Sequence, residues 1–287
     1  MGRRETELDL SGLTAVVTGG GSGVGASLVR ALVRAGVRTT VADLDLAAAT
    51  RTSTSVTGPG QARPVQVDVT DAGSVQALVD DVVAREGRLD LMFNNAGITF
   101  GGETEDLSLE QWNALIDVNI RGVVHGVAAA YPLMVRQGHG RIVNTASMGG
   151  LMAAGLITGY VMTKHAVVGL SLALRSEAAA KGVGVTVVCP SAVETPLLDK
   201  GEIGLFHGRD YYLKGQGVRR PLDPDVLAAQ VLDAVRRDEA MLVTPRTARI
   251  TWRIGRLSPR LVQRSSIRFV AKQRRWQAQR SGGIASG

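Results

Sequence analysis

Seven short runs of β-branched and aliphatic residues alternate along this chain with longer segments of helical period, and no other feature limits the possible folds so tightly. Ala15-Val16-Val17 opens the series, followed by Val24, Leu28 and Leu32 at helical spacing and a stop at Gly36. Val37 to Asp43, Val65 to Val69 and Leu89 to Phe93 read as the second, third and fourth strands. Arg141 to Ala146, Val185 to Cys189 and Met241 to Thr244 read as the fifth, sixth and seventh. Val75, Leu78, Val79, Val82 and Val83 stripe the helix after the third strand, and further helices cover Leu109 to Arg136, Tyr160 to Ala180 and Asp225 to Arg236. Seven strands alternating with six helices predict an α/β fold with a doubly wound, parallel, seven-stranded sheet. Such a sheet is buried on both faces, and its ligands lie beyond the carboxyl ends of the strands.

One domain spans residues 10–245. Within it, 195–222 is too long for an ordinary connection and carries Gly201, Gly204, Gly208, Gly215, Gly217, Phe206, Tyr211 and Tyr212; it reads as a mobile surface lid over a substrate, with a buried insertion as the alternative. Residues 246–287 form a separate basic tail. Of the 33 basic residues, 11 fall in 241–287, which has no acid, so the preceding body holds 22 bases against 26 acids. The net charge of +7 therefore describes a tail and not the whole surface. Arg246, Arg249, Arg253, Arg256, Arg260, Arg264, Arg268, Lys272 and Arg275 recur every three or four residues beside Ile250, Ile254, Leu257 and Leu261. They predict a basic amphipathic helix broken near Pro259, suited to peripheral contact with an anionic membrane, with Trp252 and Trp276 at the interface. The alternatives are a helix packed over the subunit or the cleft and, third, nucleic-acid binding, for which aromatic platforms are sparse.

The lone Cys189 cannot form an internal disulfide, the four histidines are scattered, and no metal site is expected. Glu5, Glu7 and Asp9 replace the apolar run of an export signal, and His125 and Pro132 interrupt the longest apolar candidate for a membrane span, so a cytoplasmic setting is expected.

Directly after the first strand, Thr18-Gly19-Gly20-Gly21-Ser22-Gly23-Val24-Gly25 opens a helix and presents backbone amides to a diphosphate. No lysine follows to make a nucleotide-hydrolysing loop, and no G-x-S-x-G elbow surrounds Ser22 or Ser147. Asp43 ends the second strand, where a carboxylate accepts from an adenosine ribose and repels a 2′-phosphate, which favours NAD over NADP. Arg38 starts that strand about 17 Å away, too far to neutralise a phosphate. Asp68 and Val69 are placed to touch adenine, and Asn94-Asn95-Ala96-Gly97 makes a turn after the fourth strand. Ser147 follows the fifth strand, and Tyr160 and Lys164 are spaced i, i+4 on one helical face. A phenol titrating near 10 is a poor base at neutral pH unless an ammonium stabilises its anion, and Lys164 is placed for that.

Taken in order, TGGGSGVG, NNAG, Asn119 in DVNIRG, Ser147, Tyr160-Val-Met-Thr-Lys164 and Cys189-Pro190-Ser191 resemble the short-chain dehydrogenase/reductase family over roughly residues 10–245. The resemblance implies a Rossmann-like fold and a catalytic tetrad of Asn119, Ser147, Tyr160 and Lys164, with Asn119 holding a water that links Lys164 to solvent. It implies an NAD site of Gly19, Ser22, Gly23, Val24, Gly25, Asp43, Asp68, Val69, Asn95, Ala96, Gly97, Tyr160, Lys164, Pro190, Val193 and Thr195. Ser191 departs from the glycine common after that proline, which weakens the carry-over at 191–195. A homotetramer or homodimer is implied through the helices that hold Asn119 and Tyr160. The expected function is NAD-dependent interconversion of a secondary alcohol and a ketone, with an apolar substrate suggested by Leu151, Met152, Leu197, Leu198 and Phe206. The rival reading is a catalytically silent nucleotide sensor or nucleic-acid-associated protein that keeps the fold.

Overall fold

Strands made of small and β-branched residues need cover on both faces, and a computed structural model describing residues 7–215 and 220–284 supplies it. β1 (Thr14–Thr18) and β6 (Val183–Pro190) are buried at every residue. β2 (Arg38–Asp43), β3 (Gln61–Gln66), β4 (Leu91–Asn94), β5 (Gly140–Thr145) and β7 (Met241–Thr244) complete a seven-stranded, all-parallel sheet in the order β3-β2-β1-β4-β5-β6-β7. The chain winds outward from β1 to β3, then crosses back to β4 and winds the other way. The carboxyl ends of β1 and β4 therefore flank the crevice where such sheets bind ligands.

One face is covered by α1 (Gly23–Arg34) and α8 (Pro224–Arg236), whose Leu28, Leu32, Leu227 and Val231 pack on Val17, Val41 and Phe93. The other is covered by α3 (Ala72–Glu86), α5 (Gly122–Gln137) and α6 (Thr158–Ala178), with Leu78, Val82, Met134 and Leu174 against Val16, Met92 and Ile142. Each such side chain contributes about 1.5–3 kcal/mol when fully buried. α2 (Leu46–Ser55) follows β2, capped by the Asp45 carboxylate on Ala48 N. α4 (Leu109–Ile116) begins with a Ser108–Gln111 capping box and runs into α5 through one π-helical turn, Asp117–Arg121.

Two expectations need correction. The third strand is Gln61–Gln66, not Val65 to Val69; its register pairs Asp43 with Gln66 and leaves Asp68 and Val69 in the loop beyond. As an edge strand it needs no continuous apolar run and tolerates Pro64. The continuous helical run Leu109–Gln137 is long and apolar enough to cross a membrane, with a mean hydropathy of 1.2, despite His125 and Pro132. Here Val123, Ala130 and Met134 are buried in the protein, as suits a core helix.

The lid, apart from residues 216–219 with Gly217, which lie outside the described residues, forms a 3-10 turn at Pro196–Asp199 and α7 (Gly208–Gly215). Phe206 and Tyr211 are buried, while Glu202, Leu205 and His207 are exposed, so two aromatic side chains anchor an otherwise largely exposed segment. The tail breaks at Ser258 into α9 (Arg246–Leu257) and α10 (Pro259–Ile284), as the proline predicts; residues 285–287 lie outside the described residues. Both tail tryptophans are half-buried: Trp252 packs with Met152 and Val243 under the Arg256 guanidinium, 5.5 Å from its ring centre, and Trp276 lies under the ammonium groups of Lys214 and Lys272, 4.8 and 4.6 Å from its own.

Candidate active site

The glycine turn between β1 and α1 is dictated by close backbone approach. Gly19 has φ +62°, and a Cβ on it would lie 2.9 Å from Ala96 Cα; a Cβ on Gly25 would lie 2.0 Å from the Gly19 carbonyl oxygen. Ser22, the N-cap of α1, makes no side-chain cap, and no acid stands in the helix's first turn. The amides at this helix start are thus left for an external acceptor, as a diphosphate requires. Thr18 Oγ1 accepts from Asn95 N at 3.0 Å and Ala96 N at 3.2 Å, and Asn95 Nδ2 donates to Thr18 O at 3.1 Å, which locks the turn after β4 against the glycine turn.

Asp43 sits at the end of β2 as the sequence suggests, and its carboxylate also braces the backbone, accepting from Gly21 N at 2.8 Å and Asp45 N at 3.0 Å. One lone pair on each oxygen is left for a ligand hydroxyl. Arg38 is held away, with its guanidinium on Glu86 at 2.7 Å. Asp68 accepts from Thr70 N at 2.8 Å and Thr70 Oγ1 at 2.7 Å, while the Val69 carbonyl meets His125 Nδ1 at 2.9 Å.

The four tetrad positions come together. Ser147 leaves β5 and its hydroxyl accepts from Gly149 N at 3.1 Å; a Cβ on Gly149 would lie 3.6 Å from Ser147 Oγ and 3.4 Å from Tyr160 Cε1, which sets the hydroxyl beside the phenol ring. Tyr160 and Lys164 lie one turn apart on α6, with the ammonium 5.6 Å from the phenol ring centre and donating to Thr145 O at 2.9 Å. Asn119, fully buried in the π-helical turn, accepts from Ile98 N and donates to Ile98 O, both at 2.9 Å, and donates to Thr163 Oγ1 at 3.0 Å. A Cβ on Gly97 would lie 3.3 Å from Asn119 Oδ1 and 3.4 Å from Lys164 Nζ, so the smallest residue lets these two polar groups share one space. π-helical turns recur at functional sites, and this one aims Asn119 at that space.

On sequence alone Lys164 is expected to bring the Tyr160 phenol down. In the chain by itself burial outweighs it and pushes the phenol up to about 12, with the Ser147 hydroxyl pulling the other way. Burial likewise pushes Lys164 down to about 8 and the neighbouring Cys189 thiol up to about 12. At neutral pH the Tyr160 phenol is therefore protonated.

Pro190 closes β6, and Val193 and Thr195 follow on the loop over the glycine turn, where Thr195 Cγ2 would stand 3.1 Å from a Cβ on Gly23. Ser191 does not need glycine: among described non-glycine residues only Leu156 and Asp238 have positive φ, and Ser191 N donates to Thr244 O at 2.9 Å. Of the proposed apolar substrate residues, Leu198 and Phe206 are buried, whereas Leu151 and Met152 pack toward Val168, Trp252 and Val243.

Beside Tyr160 lies a cluster that the sequence does not assemble: Leu156, Ile157, Phe206 and Tyr211, with Tyr212, Phe269 and Val270 packed on it. The Tyr212 hydroxyl meets Thr99 Oγ1 at 3.0 Å, and burial with the nearby Tyr160 raises its pKa. Leu156 holds φ +65°, a strained conformation for leucine of the kind that gathers at active sites. The Tyr-Tyr doublet in the lid is the one local signal for this cluster.

Known proteins match the stretch of chain that holds these residues. A sequence model of the short chain dehydrogenase family matches residues 13–202. Cyclohexanol dehydrogenase of Acinetobacter sp. strain SE19 is 38% identical over 192 residues, 66% of this chain and 76% of that protein. D-beta-hydroxybutyrate dehydrogenase of Rhizobium meliloti is 36% identical over 190 residues, 65% of this chain and 74% of that protein. The crystal structure of a short chain dehydrogenase/reductase from Burkholderia phymatum in complex with NAD superposes with a TM-score of 0.79 at 29% identity, covering 88% of this chain and 96% of that one. A doubly wound sheet with a glycine turn and a Ser-Tyr-Lys constellation defines a dinucleotide-dependent oxidoreductase. This chain belongs to the short-chain dehydrogenase/reductase family, whose members use NAD(P).

Proposed function

We propose that the chain is an NAD-dependent dehydrogenase that interconverts a secondary alcohol and a ketone on an apolar substrate. The Tyr160–Lys164 pair, buried on one face of α6 with the ammonium 5.6 Å from the phenol ring centre and Ser147 beside it, carries this reading. When bound, the dinucleotide supplies hydride exchange at the substrate carbon. Ser147 holds the substrate oxygen, and Tyr160 gives it a proton in reduction or takes one in oxidation. Lys164 holds the nicotinamide ribose and favours the phenolate. Asn119 fixes the Ile98 backbone and Thr163 on either side of this pair. The uncapped amides at the start of α1 fit the diphosphate, and the spare lone pairs of Asp43 fit an unphosphorylated adenosine ribose. Asp68, Val69, Asn95, Ala96 and Gly97 line the adenosine half, and Pro190, Val193 and Thr195 the nicotinamide end. The aliphatic and aromatic side chains packed around Tyr160 support an apolar substrate, and the likeness to cyclohexanol dehydrogenase supports an alcohol.

The test is NADH production across a panel of hydrophobic secondary alcohols. Tyr160→Phe is expected to lower kcat by about 10²–10⁴-fold while leaving NAD affinity within about twofold. A Tyr160→Phe enzyme that keeps a tenth of the turnover would overturn the assignment.

A further inference from the structure

The tail has two unlike sides. Its inner side is docked: Trp252 and Ala248 pack on the cluster around Val243, Phe269 lies 5.2 Å from the Tyr211 ring, Gln273 is buried, and Arg274 makes a two-pronged pair with Glu103 at 2.6 and 2.7 Å. Among the described residues, none covers its outer side. Ile250, Ile254 and Leu257 fall within about 60° of arc at 100° per residue, and they are 57%, 54% and 87% exposed. Leu261, just past the break, is 54% exposed. Arg246 and Arg253 border this ridge, and Arg256, Arg260, Arg264 and Arg268 continue the basic surface; all six are exposed. Among the described residues, Arg274 is the one tail cation paired with a carboxylate.

Burying four aliphatic side chains and placing unpaired guanidinium groups beside anions are separate demands, and one partner meets both. We infer that the outer side of α9 and the start of α10 dock onto an anionic lipid bilayer, with the Ile250–Ile254–Leu257 ridge among the acyl chains and the arginines at the phosphates. A second copy docked face to face would bring its own arginine row against this one. Nucleic acid would engage the arginines but leave the ridge in water, and the rings able to stack on bases already carry this chain's own cations, Arg256 on Trp252 and Lys214 and Lys272 on Trp276. The inference is independent of the proposed redox chemistry.

The full-length protein is mixed with vesicles of phosphatidylglycerol and phosphatidylcholine, and with phosphatidylcholine alone, then sedimented. Binding is expected to the anionic vesicles, to weaken with salt, and to be absent for the zwitterionic ones. Arg246→Gln, Arg253→Gln and Arg260→Gln together should weaken it about 100-fold, at about fivefold per cation. Ile250→Ser, Ile254→Ser and Leu257→Ser together should weaken it at least tenfold with the charge intact, and their thermal melts should match the wild type. Absence of vesicle binding overturns the inference. So does a triple-serine variant that binds like the wild type, duplex DNA bound more tightly than the anionic vesicles, or a triple-serine variant whose altered oligomeric state accounts for its change in sedimentation.

Discussion

Gly25→Ala tests whether the glycine turn is shaped for a diphosphate or is merely tight. The added Cβ would stand 2.0 Å from the Gly19 oxygen, 2.7 Å from its carbonyl carbon and 2.8 Å from Asn95 Nδ2. Two of these are backbone atoms with no rotamer to change. Carbon atoms need about 3.5 Å, so the first turn of α1 must move about 1 Å from the glycine turn. Overpacking of this kind costs about 1–3 kcal/mol of stability. A 1 Å shift also misaligns the amides, and losing two hydrogen bonds to an anion at about 1.5 kcal/mol each lowers dinucleotide affinity about 100-fold. Gly138→Ala is the control: at φ +73° with nothing within 4 Å, it strains the backbone by about 1–2 kcal/mol far from the turn. Calorimetric NADH titration and urea melts read both quantities. Each variant should lose stability, and Gly25→Ala alone should lose affinity. A Gly25→Ala protein that binds NADH within threefold of wild type would refute the reasoning.

Asp43→Asn removes the charge while keeping an acceptor for Gly21 N, so the NAD-to-NADP preference ratio should fall at least tenfold, and an unchanged ratio in parallel kinetic assays counts against Asp43. Lys164 gives up its proton near 8 in the fold, against about 10.5 unfolded, so between these values the unfolded chain binds more protons and stability rises with pH by about 1.4 kcal/mol per unit. Tyr160 and Cys189, both raised to about 12, work in the opposite sense above their unfolded values of 10.0 and 9.0, which leaves pH 8 to 9 as the clean window. Urea melts across that window should show the wild type gaining stability relative to Lys164→Met, and a constant difference would refute the burial effect. Alcohol oxidation should climb with pH, because the phenol must lose its proton, and a flat kcat/KM from pH 6 to 9 would contradict Tyr160 as the base.

What the sequence reveals and what it hides divide along the range of the interactions. The central strands are legible because a parallel sheet buries both faces, so an unbroken apolar run such as Ala15-Val16-Val17 has no polar alternation to confuse it. β3 is obscured because an edge strand with Gln61, Arg63 and Pro64 answers to pairing with β2 more than to burial. In the site, the glycine turn and the Tyr160–Lys164 pair are legible because each is local: a turn of a few residues and one helical repeat. The cluster beside Tyr160 is not, since Thr99, Leu156, Tyr212 and Phe269 meet only through folding, and nothing in a leucine announces a left-handed φ at 156.

The charge state of the pair is hidden for the same reason. Spacing puts an ammonium near a phenol, but the direction of each titration depends on how much protein surrounds them, and Tyr160 and Lys164 are only 7% and 3% exposed. Burial pushes both toward their neutral forms, far enough to keep the phenol protonated and to bring the lysine down to about 8. A chain built this way keeps Tyr160 protonated until more positive charge arrives next to it. An oxidised dinucleotide held by the glycine turn, Tyr160 and Lys164 would supply such a charge, and in the proposed mechanism it would favour the phenolate that alcohol oxidation needs.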